Sequence, residues 1–395
     1  MKTEIYFDHA ATTKLHPKAL EAMLPYLQNS FGNPSGTYAL ARRSARTIDE
    51  SRRMVAKTLG CRPQEIVFTG HGTESINAAI KGIAFAQQQA GLGNHIVTSK
   101  IEHHAVQHSC EYLEKFGFET TYVPVDKDGL VDPADIAKAV NDRTILVSVM
   151  LANNEVGSIE PIADISAAVH ERAQSMRRQI PVHTDAVQGA NSLDLSIEAL
   201  GVDVMSLSAH KFGGPKGSGI LYLRRGTPFL SQESGGGQER QRRAGTENVA
   251  GIVGTSVALH EAQSNRTAYF EICAALSRTI TDSIIEAIPG AILNGHPNKR
   301  LPNNVHVSFE GAESDAMLSA LDKLSLAASA GSACTSATWE PSHVLTAMGI
   351  PLRAAAGVLR ITLGPENTNE EVDYLLSVLR TVVAESRAEA GASAK

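Results

Sequence analysis

The sequence predicts an α/β fold, a mostly parallel sheet with helices on both faces, followed by a smaller α+β domain. Two patterns lead to it. From Glu65 to Leu223, short runs rich in Val, Ile and Leu alternate with longer helical stretches. That alternation suits parallel strands joined by crossover helices. After about Gly251 the texture changes to one long helical stretch and a later β-like run.

Glu65–Thr69 is a short apolar run ending in Gly70-His71-Gly72-Thr73, and Glu74–Gln89 then reads as a helix. His95–Ser99 is the next strand, Ala105–Phe116 a helical stretch, and Thr121–Val125 another strand. Thr144–Met150, Pro181–Thr184 and Val202–Leu207 are strongly β-like. Ser218–Leu223 follows a Gly/Pro turn so short that only an antiparallel return is possible. Ile252–Ile288 reads as one long helical stretch and Asn304–Phe309 as a strand; the small, polar tail Arg387–Lys395 is expected to fray.

The 395 residues are long enough for two or three domains. With 43% hydrophobic and 20% charged residues the composition is that of an ordinary globular protein. A formal charge of −6 and a pI near 6.2 supply no basic field for nucleic acid and no polybasic membrane anchor. The N-terminus lacks the apolar stretch of a signal peptide and no apolar run is long enough to span a bilayer, so a cytoplasmic location is expected. The four cysteines, Cys61, Cys110, Cys273 and Cys334, form no CxxC pair, which argues against a disulfide framework or a metal site. Cys61, Cys110 and Cys273 read as small buried hydrophobes.

Parallel α/β sheets bind ligands at the carboxyl ends of their strands, and polar residues gather there. Asp185 closes one strand, with Gln188 three residues on; Ser208-Ala209-His210-Lys211 closes another. Gly72-Thr73 sits where a strand hands over to a helix, and His103 and Asn153-Asn154 follow two more strands. Each type suits one task in holding pyridoxal phosphate. A lysine amine forms the covalent link, and a carboxylate keeps the pyridine nitrogen protonated. A glycine-led helix start offers N–H groups to a phosphate, aided by Thr73, Ser208 and His210, while an imidazole can lie on the ring. Taken singly, each has a plain explanation: a solvated lysine, an Asp capping a helix, an ordinary turn at Gly72-Thr73, surface imidazoles at His103 and His104, and amides of Gln188 and Asn154 satisfying local backbone. Their shared position at strand ends is what weakens those explanations.

At these residues the chain resembles the NifS/IscS-type cysteine desulfurases of the class V aminotransferase group, over nearly its whole length. The matching segments are Tyr6–Thr13, Phe31-Gly32-Asn33-Pro34-Ser35, Thr184–Gln188, Ser208–Lys211, Gln238-Glu239-Arg240 with Arg242–Thr246, Ser332-Ala333-Cys334-Thr335-Ser336 and Glu340–Val344. The resemblance implies fold type I of the pyridoxal-phosphate transferases with a seven-stranded sheet. It implies a large cofactor domain over 15–255 and a small domain made of 1–14 and 256–395, carrying an active-cysteine loop at about 329–341. Lys211 would hold the cofactor, Asp185 its pyridine nitrogen and Gln188 its phenolic oxygen. His103 would stack on the ring and shuttle protons. Gly72, Thr73, Ser208 and His210 would bind phosphate, and Thr246 would reach the phosphate of a neighbouring subunit in a homodimer with shared sites. Asn33, Asn154 and Arg360 would orient the substrate, Arg360 by gripping its carboxylate.

The chemistry implied is removal of sulfur from L-cysteine. Lys211 takes the Cα proton and the Cys334 thiolate attacks the substrate sulfur, leaving L-alanine and a persulfide for an acceptor or iron–sulfur scaffold protein. Small neighbours, Gly331, Ser332, Ala333, Thr335 and Ser336, suit a mobile thiol; on pattern alone a buried structural cysteine is an equal reading. Val156 and His104, and Ala330 before Gly331, depart from common family residues without removing a chemical group. A selenocysteine lyase, another class V aminotransferase, or a silent assembly scaffold are the alternatives.

Overall fold

The computed structural model describes residues 4–331 and 341–393. A seven-stranded sheet runs in the order Ile66–Thr69, Gly219–Leu223, Val204–Ser208, Val182–Asp185, Thr144–Ser148, His95–Ser99, Glu119–Val123. Gly219–Leu223 is antiparallel to both its neighbours, as its short connection requires, and the other pairings are parallel. Thr144–Ser148 and Val204–Ser208 are buried along their whole length, the mark of strands covered on both faces. Two clusters of apolar side chains include the sheet: one holds Val147, Val182 and Met205, the other Ile96, Ile145 and Val204.

The element ends show where local pattern yields to other forces. The strand expected over Thr121–Val125 lies at Glu119–Val123, in register with His95–Ser99; Pro124 cannot extend it by donating to the ladder. The long stretch expected over Ile252–Ile288 is two helices, Val249–Ser264 and Arg266–Ala287. Asn265 breaks them, its side-chain amide donating to the Glu261 carbonyl at 2.8 Å, a local bond that competes with helix continuation. The tail expected to fray is helical through Ser393 within Asn369–Ser393; Ala388, Glu389 and Ala390 are strong helix formers. Gly60, left-handed at φ 70°, closes Ala39–Leu59, where a side chain would be strained.

A separate cluster joins Phe7 to Leu276, Ile280, Val305, Leu359 and Leu375. It packs on a three-stranded antiparallel sheet of Ala291–Leu293, Asn304–Phe309 and Val358–Thr362. The N-terminal strand Ile5–Tyr6 pairs in parallel with Leu326–Ala327. The first described residues are thus bound into structure made from the last third of the chain. Among the described residues no helix is long and apolar enough to cross a membrane.

Candidate active site

A cavity of about 480 Å³ opens at the carboxyl edge of the large sheet. Its wall contains Gly72, Thr73, His103, Asn154, Asp185, Gln188, Ser208, His210, Lys211 and Arg360. Residues scattered over most of the chain meet there because parallel strands end on the same edge. Thr246 and Asn33 are exposed and stand outside this wall. Cys334 lies outside the described residues.

Asp185 ends strand Val182–Asp185 and is buried, with Oδ1 accepting the Val187 N–H at 3.0 Å. Burial raises its pKa to about 6, against the pull of that N–H and of the Lys211 charge. Lys211 follows strand Val204–Ser208 in a single 3₁₀ turn. Its Nζ donates to the carbonyls of Ala10, at 2.5 Å, and Ala11, at 2.8 Å. Burial, with help from Arg360, lowers its pKa to about 8, so about a tenth of the amine is neutral at pH 7.

His103 lines the cavity, with its side chain open to the cavity space. Burial first, then the Lys211 charge, lowers its pKa to about 4. Its Nδ1 caps helix His104–Glu114 by accepting the Ala105 N–H at 3.0 Å. A neutral ring whose Nδ1 accepts carries its proton on Nε2, so His103 is set as a donor from Nε2.

The helix Gly72–Gln89 points its N-terminus at the cavity, where its dipole and free amides favour an anion. The Gly72 N–H donates to Ser208 Oγ at 3.2 Å, and a Cβ on Gly72 would fall 2.8 Å from Ser208 Cβ. His71 caps this helix, accepting the Glu74 N–H at 2.9 Å. His210 Nδ1 lies 3.1 Å from Thr12 Oγ1, and Gln188 donates to the Ala10 carbonyl at 3.0 Å.

The wall also holds residues that sequence reasoning left aside: Asp8, Ala10, Ala11, Glu155 and His343. Glu155 is buried and accepts a bond from Ser342 Oγ at 2.5 Å. His343 Nε2 bonds the Glu102 carbonyl at 2.9 Å. Two segments nearly 190 positions apart are joined there, a contact that no local pattern announces. Outside the site, burial drives the thiols of Cys61, Cys110 and Cys273 up to about 12, which leaves them inert.

The family model for class V aminotransferases matches residues 5–375. The chain belongs to the class V aminotransferase family. Among its relatives within that family, a cysteine desulfurase IscS from Dictyoglomus turgidum is 46% identical, over 98% of this chain and 96% of the relative. One from Methanosarcina thermophila is 47% identical over 97% and 93%. A solved NifS-like protein superposes with a TM-score of 0.90 at 36% identity, covering 97% of this chain and all of the other. A solved SspA in complex with cysteine superposes at 0.80 and 35% identity, covering 93% of this chain and all of that one. The α/β fold with a mostly parallel seven-stranded sheet is the fold these relatives share.

Proposed function

We propose that the protein is a cysteine desulfurase that converts L-cysteine to L-alanine and passes the sulfur, as a persulfide on Cys334, to acceptor proteins, chiefly for iron–sulfur cluster assembly. One observation carries the proposal: Lys211, Asp185, His103 and Arg360 share one cavity in a chain whose relatives are named cysteine desulfurases.

The class V family implies a pyridoxal phosphate requirement, and the residues present fit that group. Asp185 is a buried carboxylate with one backbone donor, a natural partner for a protonated pyridine nitrogen. The close approach of Gly72 to Ser208 at a helix N-terminus leaves a cradle that any side chain would fill. Lys211 would hold the aldehyde carbon, Asp185 the ring nitrogen, Gln188 the phenolic oxygen and His103 the ring face. Gly72, Thr73, Ser208 and His210 would hold the phosphate. When bound, the group supplies an electron sink for the charge left when a proton leaves the substrate Cα.

The chain's own residues do the rest. Arg360 and Asn154 orient the amino acid, the first through its carboxylate. The lowered pKa of Lys211 lets its amine receive the Cα proton near neutral pH. His103 offers a proton from Nε2. The Cys334 thiolate forms an S–S bond to the substrate sulfur as the Cβ–S bond breaks. A proton delivered to Cβ and one returned to Cα by Lys211 complete alanine, so sulfur moves and nothing else is gained or lost.

Thr246 and Asn33 stand apart from their own chain's cavity. This supports a homodimer in which Thr246 reaches the neighbour's phosphate. The exposed Leu20, Leu24 and Leu27 on helix Pro17–Gln28, with Phe31, offer apolar surface for a second copy. We place the large domain at 15–255 and the small domain at 1–14 with 256–395, and the protein in the cytoplasm. Alanine and sulfide formed from L-cysteine by the cofactor-supplemented protein test the reading. Cys334→Ala should abolish sulfur release while the bound-cofactor absorbance stays. Desulfuration at full rate by that variant would overturn the persulfide route.

A further inference from the structure

An arginine has five N–H donors, and the partners of Arg360 among the described residues account for three. Its Nη1 donates to the Asn154 carbonyl at 2.8 Å and the Gly331 carbonyl at 3.4 Å, and its Nη2 donates to Asp8 Oδ1 at 2.8 Å. Nε is buried and has no partner among the described residues. One Nη2–H remains without a partner among the described residues, a donor that a substrate carboxylate can take; Nε–H is shut away from solvent. The Arg360 side chain is 5% exposed and that of Asp8 is 19% exposed, and both line the cavity.

The sheet sets this meeting. Thr362 N–H donates to the Phe7 carbonyl at 2.7 Å, and Asp8 bridges Thr362 in parallel. The chain at Asp8 thereby runs beside strand Val358–Thr362, which carries Arg360. Tyr6 Oη fixes the turn that follows, donating to the Asp8 and Thr12 carbonyls at 2.9 and 3.0 Å.

We infer that Asp8 is a positioning residue for an α-carboxylate site, holding Arg360 so that its remaining Nη2–H faces the carboxylate of an amino-acid substrate. This rests on the role proposed for Arg360. A guanidinium already held by three acceptors loses little further freedom when the substrate arrives. The Asp8 charge also compensates a buried cation next to Lys211. Asp8 touches Arg360 and not the reacting atoms, so its loss should weaken substrate binding and spare the chemistry.

The test uses the full-length holoenzyme and L-cysteine. Asp8→Ala should raise KM about tenfold and change kcat by less than about twofold. Asp8→Asn, which keeps an acceptor oxygen, should recover most of that loss and carries the test if the alanine variant does not fold. In an Arg360→Ala background, Asp8→Ala should add nothing. A KM left unchanged or lowered by Asp8→Ala, or the same rise without Arg360, overturns the inference; a lowered KM would mean that Asp8 competes with substrate. If Arg360→Ala raises KM and Asp8→Ala does not, only the role of Asp8 falls. If Arg360→Ala leaves KM unchanged, the carboxylate assignment falls and takes Asp8 with it.

Discussion

The Arg52 guanidinium and the Glu239 carboxylate form a two-bond ion pair inside the protein, Nη1 to Oε2 and Nη2 to Oε1, each at 2.7 Å. Glu239 Oε2 also accepts the Phe68 N–H at 2.9 Å, and Arg52 Nη1 reaches the Ile66 carbonyl at 2.7 Å. The pair holds an awkward turn: Glu239, Arg240 and Gln241 are left-handed, at φ 45°, 56° and 66°. Non-glycine residues keep such angles only when their surroundings impose them. Removing either partner strands a buried charge.

Arg52→Ala or Glu239→Ala should therefore lower unfolding stability by about 3–5 kcal/mol. The double variant should cost clearly less than the sum. A double-mutant cycle by urea denaturation checks this; additive losses would show that the pair is not coupled. Under the homodimer reading, the same single variants should also weaken cofactor retention, because Thr246 lies a few residues along this loop.

Gly72→Ala should weaken cofactor binding more than it weakens the fold. The new methyl would stand 2.8 Å from Ser208 Cβ and 3.3 Å from Ser208 Oγ. It would push the hydroxyl out of the anion cradle while the helix behind it gains a better helix former. Equilibrium dialysis of pyridoxal phosphate alongside thermal melting of the apoprotein separates the two effects. Unchanged affinity would place the phosphate elsewhere.

Covalent capture of pyridoxal phosphate by the apoprotein should accelerate as pH rises and level off above about 8, the pKa to which burial lowers Lys211. Only the neutral amine attacks an aldehyde. At pH 7 the neutral fraction exceeds that of a free lysine by about two orders of magnitude. Stopped-flow absorbance against pH, with borohydride trapping and peptide mapping to locate the link, reads both midpoint and site. Capture that keeps accelerating to about pH 10 would contradict the lowered pKa.

His183 lies within the large sheet, Nδ1 2.8 Å from Ser148 Oγ and Nε2 2.9 Å from Ser206 Oγ. Burial lowers its pKa to about 3. Once unfolded, the ring protonates near 6.5, so the unfolded state binds the extra proton as pH falls and stability is lost between about 6.5 and 3. Glu102, raised to about 8 by burial, works in the opposite direction, gaining stability as pH falls through that value. The clean measurement is thus a difference. The stability advantage of the native chain over His183→Gln should shrink by about 2 kcal/mol between pH 6.5 and pH 5. A pH-independent gap would mean that His183 is not held neutral.

Much of the cavity is legible in the sequence. Gly72, His103, Asp185 and Lys211 each sit just past a β-like run, and strand–helix alternation implies a common sheet edge for them. The antiparallel return of Gly219–Leu223 is legible too, because a tight turn cannot lead to a parallel neighbour. The break at Asn265 is not, because it depends on a single side-chain bond to Glu261. Nor is the role of Asp8, because Ile5–Tyr6 is too short to show a period and its partner strand lies at Leu326–Ala327.

By itself the sequence determined the layer architecture, the edge of the sheet where chemistry-bearing groups gather and the family to which the chain belongs. These depend on local periodicity and ordered motifs, which are properties of neighbouring residues. The tertiary structure alone decided which groups satisfy one another across the chain: Asp8 on Arg360, Arg52 on Glu239, the Ala10 and Ala11 carbonyls on Lys211, Ser342 on Glu155. Such contacts join segments far apart in sequence, and it is burial, by excluding water, that makes each partner matter.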